Sequence, residues 1–255
     1  MSRKSVAAGA TAAVAAAPPL TEDASAIIAV AAHELKNALG GIGVALARCE
    51  QRLAGGRAVT AEDLSVARGE LRRLSALVND LLDGARVDLG VVHVDRRPFD
   101  LAALAREVVA MFSAARGRAV ELELPAAPVE VTADVERVRA VLINYLENAA
   151  KYAPAPAGII VRLGPSPAPG GDAAARAERL RLAVADDGPG IALGDQARLF
   201  QRFSRGSLAA RGAEGLGLGL YVCRAIAEAH GGDVGVISRP GAGATFWLDL
   251  PAGAS

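Results

Sequence analysis

Residues 31–39, Ala31-Ala32-His33-Glu34-Leu35-Lys36-Asn37-Ala38-Leu39 (AAHELKNAL), decide how the first part of the chain is read. A titratable ring and a carboxylate sit here in an aliphatic run, in a chain that holds three histidines. Around them Ile28, Ala32, Leu35, Leu39, Ile42, Leu46, Cys49 and Leu53 alternate spacings of four and three. That is the apolar seam of a helix that packs in coiled-coil fashion. With Ala32 and Leu35 on the seam, His33 and Asn37 stand one turn apart on the outward face, where the ring is open to reagents.

Outward from this stretch, Ala54-Gly55-Gly56-Arg57 breaks the helix and Thr60 opens another as its N-cap. Leu64, Ala67, Leu71, Leu74, Val78, Leu81 and Ala85 repeat the seam. An antiparallel hairpin with so short a connection cannot bury both seams alone, so residues 21–89 are expected to form a dimeric four-helix bundle, and the protein a homodimer. Residues 1–20 start basic and run through alanines, but Gly9, Thr11 and Pro18-Pro19 leave no apolar block of an export signal; a disordered tail is expected.

Beyond Gly90 the texture changes to alternating helices and strands, expected at 100–116, 120–124, 134–152, 159–163, 180–185, 217–230, 234–238 and 245–250. The 164–178 stretch GPSPAPGGDAAARAE reads as a polar surface loop. The expectation for 90–251 is a second domain, an α/β two-layer sandwich with a mixed sheet, followed by a short tail at 252–255.

Composition removes several function classes. Hydrophobic residues make up 52% of the chain, yet no stretch approaches the ~20 apolar residues that span a bilayer. Formal net charge is zero with scattered basic residues, which argues against a nucleic-acid surface. Cys49 and Cys223 lie far apart in helical contexts and read as reduced thiols of a cytoplasmic protein. His93, in a strand-like segment, reads as structural; His230, at a helix end, reads as a cation complementing the dipole. Three dispersed histidines do not make a zinc site.

Three stretches of the second domain carry chemistry. Asp186-Asp187-Gly188-Pro189-Gly190 follows a strand, so the Asp186 carboxylate is a fixed acceptor that could read an exocyclic amine. Gly215-Leu216-Gly217-Leu218-Gly219-Leu220 runs into a helix whose positive start attracts phosphate oxygens. Either motif alone also fits a structural turn. Asn144-Tyr145-Leu146-Glu147-Asn148-Ala149-Ala150-Lys151-Tyr152 puts Asn144, Asn148, Lys151 and Tyr152 on one helical face. One amide oxygen plus nucleotide phosphates makes a sensible shell for magnesium, which keeps most of its water.

Together and in this order, the three stretches resemble the ATP-binding domain of sensor histidine kinases, in the superfamily that also holds DNA gyrase and MutL. With AAHELKNAL the resemblance runs from about residue 24 to 251. It implies ATP and Mg2+ as cofactors, Asn148 as the metal ligand, and Asp186 as the adenine reader. It places Gly188, Gly190, Gly215, Gly217 and Gly219 in the nucleotide loops, Asn144 on their side of the helix, and Lys151 and Tyr152 near the phosphates and the base. Phe200-Gln201-Arg202-Phe203 resembles the phenylalanine motif of the lid, with Arg202 and Arg205 able to approach phosphates; two core phenylalanines are the alternative. Gly241-Ala242-Gly243-Ala244-Thr245-Phe246 resembles the last family motif, with Thr245 in the nucleotide site.

For the opening stretch, the resemblance implies that His33 Nε2 attacks the γ-phosphate. The phosphoryl group then passes to an aspartate on a response regulator receiver domain. Glu34 matches the carboxylate that holds the other ring N–H, and Asn37 matches a position that orients water for removing phosphate from the regulator. Ala38 replaces the family's usual proline, which implies a straighter helix. Hydrolysing relatives carry a glutamate where this chain has Asn144, a poor base, so a protein acceptor is favoured over water; Glu147 is a weaker candidate. A non-catalytic dimeric scaffold and a phosphatase-dominant member are the alternatives. A lid at 192–215, a hinge at 86–99 and an upstream sensor or signalling protein complete the expectation.

Overall fold

The computed structural model describes residues 22–90, 92–153, 155–167, 179–204 and 216–252, with the backbone alone for 22–30. The expected tail at 1–20, most of the 164–178 loop, and Arg205 and Gly215 lie outside these residues.

Helices α1 (Glu22–Ala54) and α2 (Ala61–Asp88) form the hairpin. The Thr60 side chain accepts from the Asp63 N–H, and Asp63 in turn accepts from the Thr60 N–H at 2.9 Å, a reciprocal cap that fixes where α2 starts. Ala31, Ala38, Ala45 and Cys49 are buried on α1, and Leu77 and Gly84 on α2. Small residues along this line let the helices approach closely.

The expected seam is split in two. Leu35, Ile42, Ala67, Leu74 and Leu81 lie partly buried. Leu39, Leu46, Leu53, Leu64, Leu71 and Val78 remain exposed, Leu39 at 57% and Leu71 at 56%, and so does Ala32. The apolar stripe is wider than one neighbouring helix can cover, so alternate members face away from the hairpin's interior.

The second unit contains strands β1 (Arg97–Asp100), β2 (Glu121–Glu123), β3 (Glu130–Ala133), β4 (Ile159–Pro165), β5 (Arg179–Asp186), β6 (Asp233–Ser238) and β7 (Ala244–Pro251). Its helices are α3 (Leu101–Arg116), α4 (Val135–Tyr152), the single turn α5 (Leu193–Gln196) and α6 (Gly219–Ala229). Five strands form a mixed sheet in the order β2-β4-β5-β7-β6, in which β2 and β4 run parallel and the other neighbours antiparallel. On α4, Val138, Val141, Leu142, Tyr145, Leu146 and Ala149 repeat at helical spacing and are buried in the core between sheet and helices. The β1–β3 ribbon was not expected: β1 holds Pro98 and β3 has Val131 as its single large apolar residue, so neither reads as a strand from its sequence.

Two readings of histidines change. His230 is buried, donates from Nδ1 to the Ile226 carbonyl at 2.8 Å, and accepts at Nε2 from the Asp134 N–H at 2.9 Å. Burial holds its pKa below the ordinary value, so it is a neutral tie between the end of α6 and the N-cap of α4 rather than a cation at a dipole. His93 is exposed and outside any strand. Part of the stretch expected as a hinge, 86–99, is tied down, and Arg86 to Asp88 belong to α2. The Asp95 N–H donates to Asp134 Oδ2 at 2.9 Å and Arg96 donates to the Ala229 carbonyl at 2.6 Å, so the chain is already tied to the second unit at Asp95.

The two units are packed together. Leu216 and Leu218, which lead into α6, are buried in one cluster with Ala31, Ala38 and Leu77, flanked by Phe203 and Tyr221. A Cβ on Gly84 would stand 3.2 Å from Leu218. At the lower end of α2, Asp88 accepts from the Tyr221 hydroxyl at 3.1 Å and pairs with Arg202 at 2.5 Å.

Candidate active site

The face of α4 that carries Asn144 and Asn148 is set by the buried stripe on its opposite side. Asn148 Nδ2 donates to Asn144 Oδ1 at 3.0 Å, which leaves Asn148 Oδ1 as the end that can accept a cation. At the start of α6, a Cβ on Gly219 would lie 2.1 Å from Asn144 Nδ2. Only glycine lets the helix start come against this amide pair. Among the described residues no group of three His, Cys, Asp or Glu side chains could hold a metal, so a cation here depends on an amide oxygen and on its ligand's own oxygens.

Asp186 ends β5 and is 9% exposed. Its Oδ1 accepts from the Gly188 N–H at 2.8 Å. Burial pushes its pKa up, while the amides of Gly188 and Ala244 pull it back, Asp187 adds to the rise, and Arg118 lowers it. Gly190 turns with φ +69°, and a Cβ there would meet the Arg239 carbonyl at 1.9 Å. Gly217 lies against the Ser204 carbonyl. Gly188 comes against Tyr152 and Ala153 and Gly219 against Asn144, so the Asp186 turn and the Gly217–Gly219 segment both lie along α4 and bound the candidate cleft on its polar face. Lys151 is exposed, with its ammonium 5.0 Å from the half-buried Tyr152 ring.

Thr245 does not belong to this cleft. Ala244 is the residue opposite Asp186, while Thr245 pairs with Ala185 and Ile237. Side chains alternate along a strand, so Thr245 lies on the other face of the sheet from Phe246, which packs against Tyr145 in the core. Gly241-Ala242-Gly243 carried the reading one position too far.

The phenylalanine segment divides between its two readings. Phe200 packs edge-on to Phe246 at 6.4 Å in the core, and Phe203 packs on the hairpin. Arg202, expected to be able to approach phosphates, pairs here with Asp88 and lies 4.7 Å over the Phe203 ring.

On α1, His33 and Asn37 are exposed. Glu34 turns toward α2, where its Oε2 lies 3.1 Å from Arg73. Sequence reasoning missed Arg73 and also Asp80, a half-buried carboxylate on α2. Burial raises the Asp80 pKa to about 6, with Asp83 adding and Lys151 opposing. An acid beside the seam residues Val78 and Leu81 was the available signal.

Residues 24–90 match the His Kinase A (phospho-acceptor) domain, and residues 133–254 match the Histidine kinase-, DNA gyrase B-, and HSP90-like ATPase family. The chain belongs to the histidine kinases of two-component systems. Among its relatives, the sensor protein KdpD of Escherichia coli (strain K12) is 35% identical over 75% of this chain and 20% of its own length. The adaptive-response sensory kinase SasA of Parasynechococcus marenigrum (strain WH8102) is 33% identical over 88% of this chain. This chain spans 56% of that relative. The crystal structure of full-length ShkA in complex with AMPPNP superposes with a TM-score of 0.59 at 27% identity, covering 91% of this chain and 47% of ShkA. Among the described residues no helix is long and apolar enough to cross a membrane.

Proposed function

We propose that this protein is an ATP-dependent protein histidine kinase that phosphorylates its own His33 and passes the phosphoryl group to an aspartate of a response regulator receiver domain. One observation carries the reading: the segment entering α6 from the candidate phosphate loop is buried against Ala31 and Ala38, which flank the exposed His33 on the same helix. A nucleotide held by that segment therefore has its acceptor on the element it already touches.

In this reading Asp186 takes the adenine amine, Gly188 and Gly190 give the base room, and Gly217 and Gly219 line the phosphates. Asn148 Oδ1 would hold Mg2+, with Asn144 fixing its amide; the ion supplies charge neutralisation on the phosphates. Lys151 adds a cation at the phosphates and Tyr152 borders the base. Nε2 of neutral His33 forms the N–P bond while the bond from the γ-phosphorus to the bridging oxygen breaks, and ADP leaves with that electron pair. Glu34, anchored by Arg73, takes the Nδ1–H of the resulting ring. Asn37, on the same face, serves the reverse reaction by orienting water on the regulator. Alignment is the main contribution such a site makes.

The six exposed residues from Leu39 to Val78 make the stripe for a second copy, so the working unit is a homodimer with a four-helix bundle. Asn144 in place of a carboxylate disfavours water as acceptor. The stimulus reaches the protein through an upstream sensor or signalling protein, in the cytoplasm.

The test is ATP affinity with and without Mg2+. Wild type should bind ATP, and Asn148→Ala should lose the Mg2+-dependent part of the affinity. No binding of ATP at millimolar concentration would leave the scaffold reading in its place.

A further inference from the structure

Arg118 belongs to none of the motifs, yet its guanidinium is among the most engaged groups near the cleft. It follows Gly117, the left-handed cap of α3, and its own N–H donates to the Ser113 carbonyl at 3.3 Å. From this anchored base Nη1 donates to the Ala150 carbonyl at 3.3 Å. Nη2 donates to the Ala153 carbonyl at 2.5 Å and the Ala157 carbonyl at 2.9 Å. Ala150 is in the last turn of α4 and Ala153 is its C-cap, so these are carbonyls the helix cannot satisfy itself.

The chain that Arg118 gathers lies against the Asp186 turn. The Gly158 N–H donates to Asp187 Oδ2 and the Asp187 N–H donates to the Gly158 carbonyl, both at 3.2 Å. A Cβ on Gly188 would stand 3.2 Å from the Ala153 Cβ and from the Tyr152 carbonyl. One guanidinium thus ties the end of α4, which carries Lys151 and Tyr152, to the residues that border the Asp186 carboxylate.

We propose that Arg118 is a positioning residue for base recognition: it sets the distance between the Tyr152–Ala153 end of α4 and Asp186, and so tunes selection of a 6-amino purine. Its charge also favours the ionised acceptor form of Asp186. The proposal rests on the reading of this cleft as the adenine site. Arginine is required because its planar fork serves three carbonyls at once, whereas a lysine ammonium at shorter reach serves fewer.

The test compares affinities for ATP and for purine riboside triphosphate, which lacks the 6-amino group, in wild type, Arg118→Lys and Arg118→Ala, with melting temperatures alongside. In Arg118→Ala, ATP affinity should fall about tenfold and the analogue's about threefold or less, so the preference for ATP shrinks; Arg118→Lys should fall between. An Arg118→Ala preference equal to wild type, with or without a common loss of affinity, would overturn the proposal and leave Arg118 a fold-stabilising residue. Should Arg118→Ala fail to fold, the preference of Arg118→Lys decides in the same way. Failure of wild type to bind ATP would instead remove the adenine site itself.

Discussion

A methyl group at position 219 has nowhere to go except into the Asn144 amide, 2.1 Å away. Gly219→Ala should therefore turn Asn144 off Asn148 and lower ATP affinity about tenfold, read by calorimetry, with the melting temperature nearly unchanged because alanine suits a helix. Unchanged affinity would show that the amide pair does not shape the site. His230 gives a second test at this scale. Its neutral ring belongs to the folded form, so as pH falls through 6.5 the unfolded chain takes up the proton first. Stability is fully present above that value and declines below it, and denaturant titrations from pH 8 to 5 should show a flatter acid decline in His230→Gln. At this scale the close backbone approaches of Gly190, Gly217 and Gly219 and the place of Asp186 at a strand end were legible, because a tight turn dictates glycine and a strand has a readable end. Thr245 was misplaced because a repeat of small residues does not show which member faces the cleft, and strand register does.

Among the elements, the hairpin seam is the informative case. The spacings of four and three in α1 and α2 are present, yet only alternate members turn inward, since one helix contact uses about half of the stripe. Placing lysine at Leu39 and Leu71 together should yield a monomer by sedimentation with helical content retained; a persistent dimer would put the contact elsewhere. Every element long enough to show its period was legible: α3, α4 and α6, with β4, β5, β6 and β7, lie close to the expected bounds. The three-residue β2 was legible from the alternation of Val120 to Leu124, whereas β1 and β3 were not: Pro98 sits in one, and the other offers Val131 as its single large apolar residue.

For the whole molecule, what the sequence could not reveal is the packing of one unit on the other. Asp80 and Asp88 of α2 stand far along the chain from Arg202 and Tyr221, and no local pattern joins them. Burial favours the protonated form of Asp80, so the packed arrangement gains as pH falls through about 6 and is opposed above it, where Asp80 is ionised beside Asp83. Hydrogen exchange of α2 should accordingly be slower at pH 5.5 than at pH 7.5 after correction for intrinsic rates, and Asp80→Asn should remove that difference. Asp88→Ala removes the acceptor of the Tyr221 hydroxyl and the partner of Arg202, and the initial rate of labelling from ATP should rise severalfold; an unchanged rate would mean that this contact does not restrain phosphoryl transfer. The central claim, that His33 receives the γ-phosphoryl group, is tested most directly by incubating wild type and His33→Gln with γ-labelled ATP and Mg2+. Acid-labile, base-stable label on wild type and none on the variant is the expected result, and equal labelling of both proteins would contradict it.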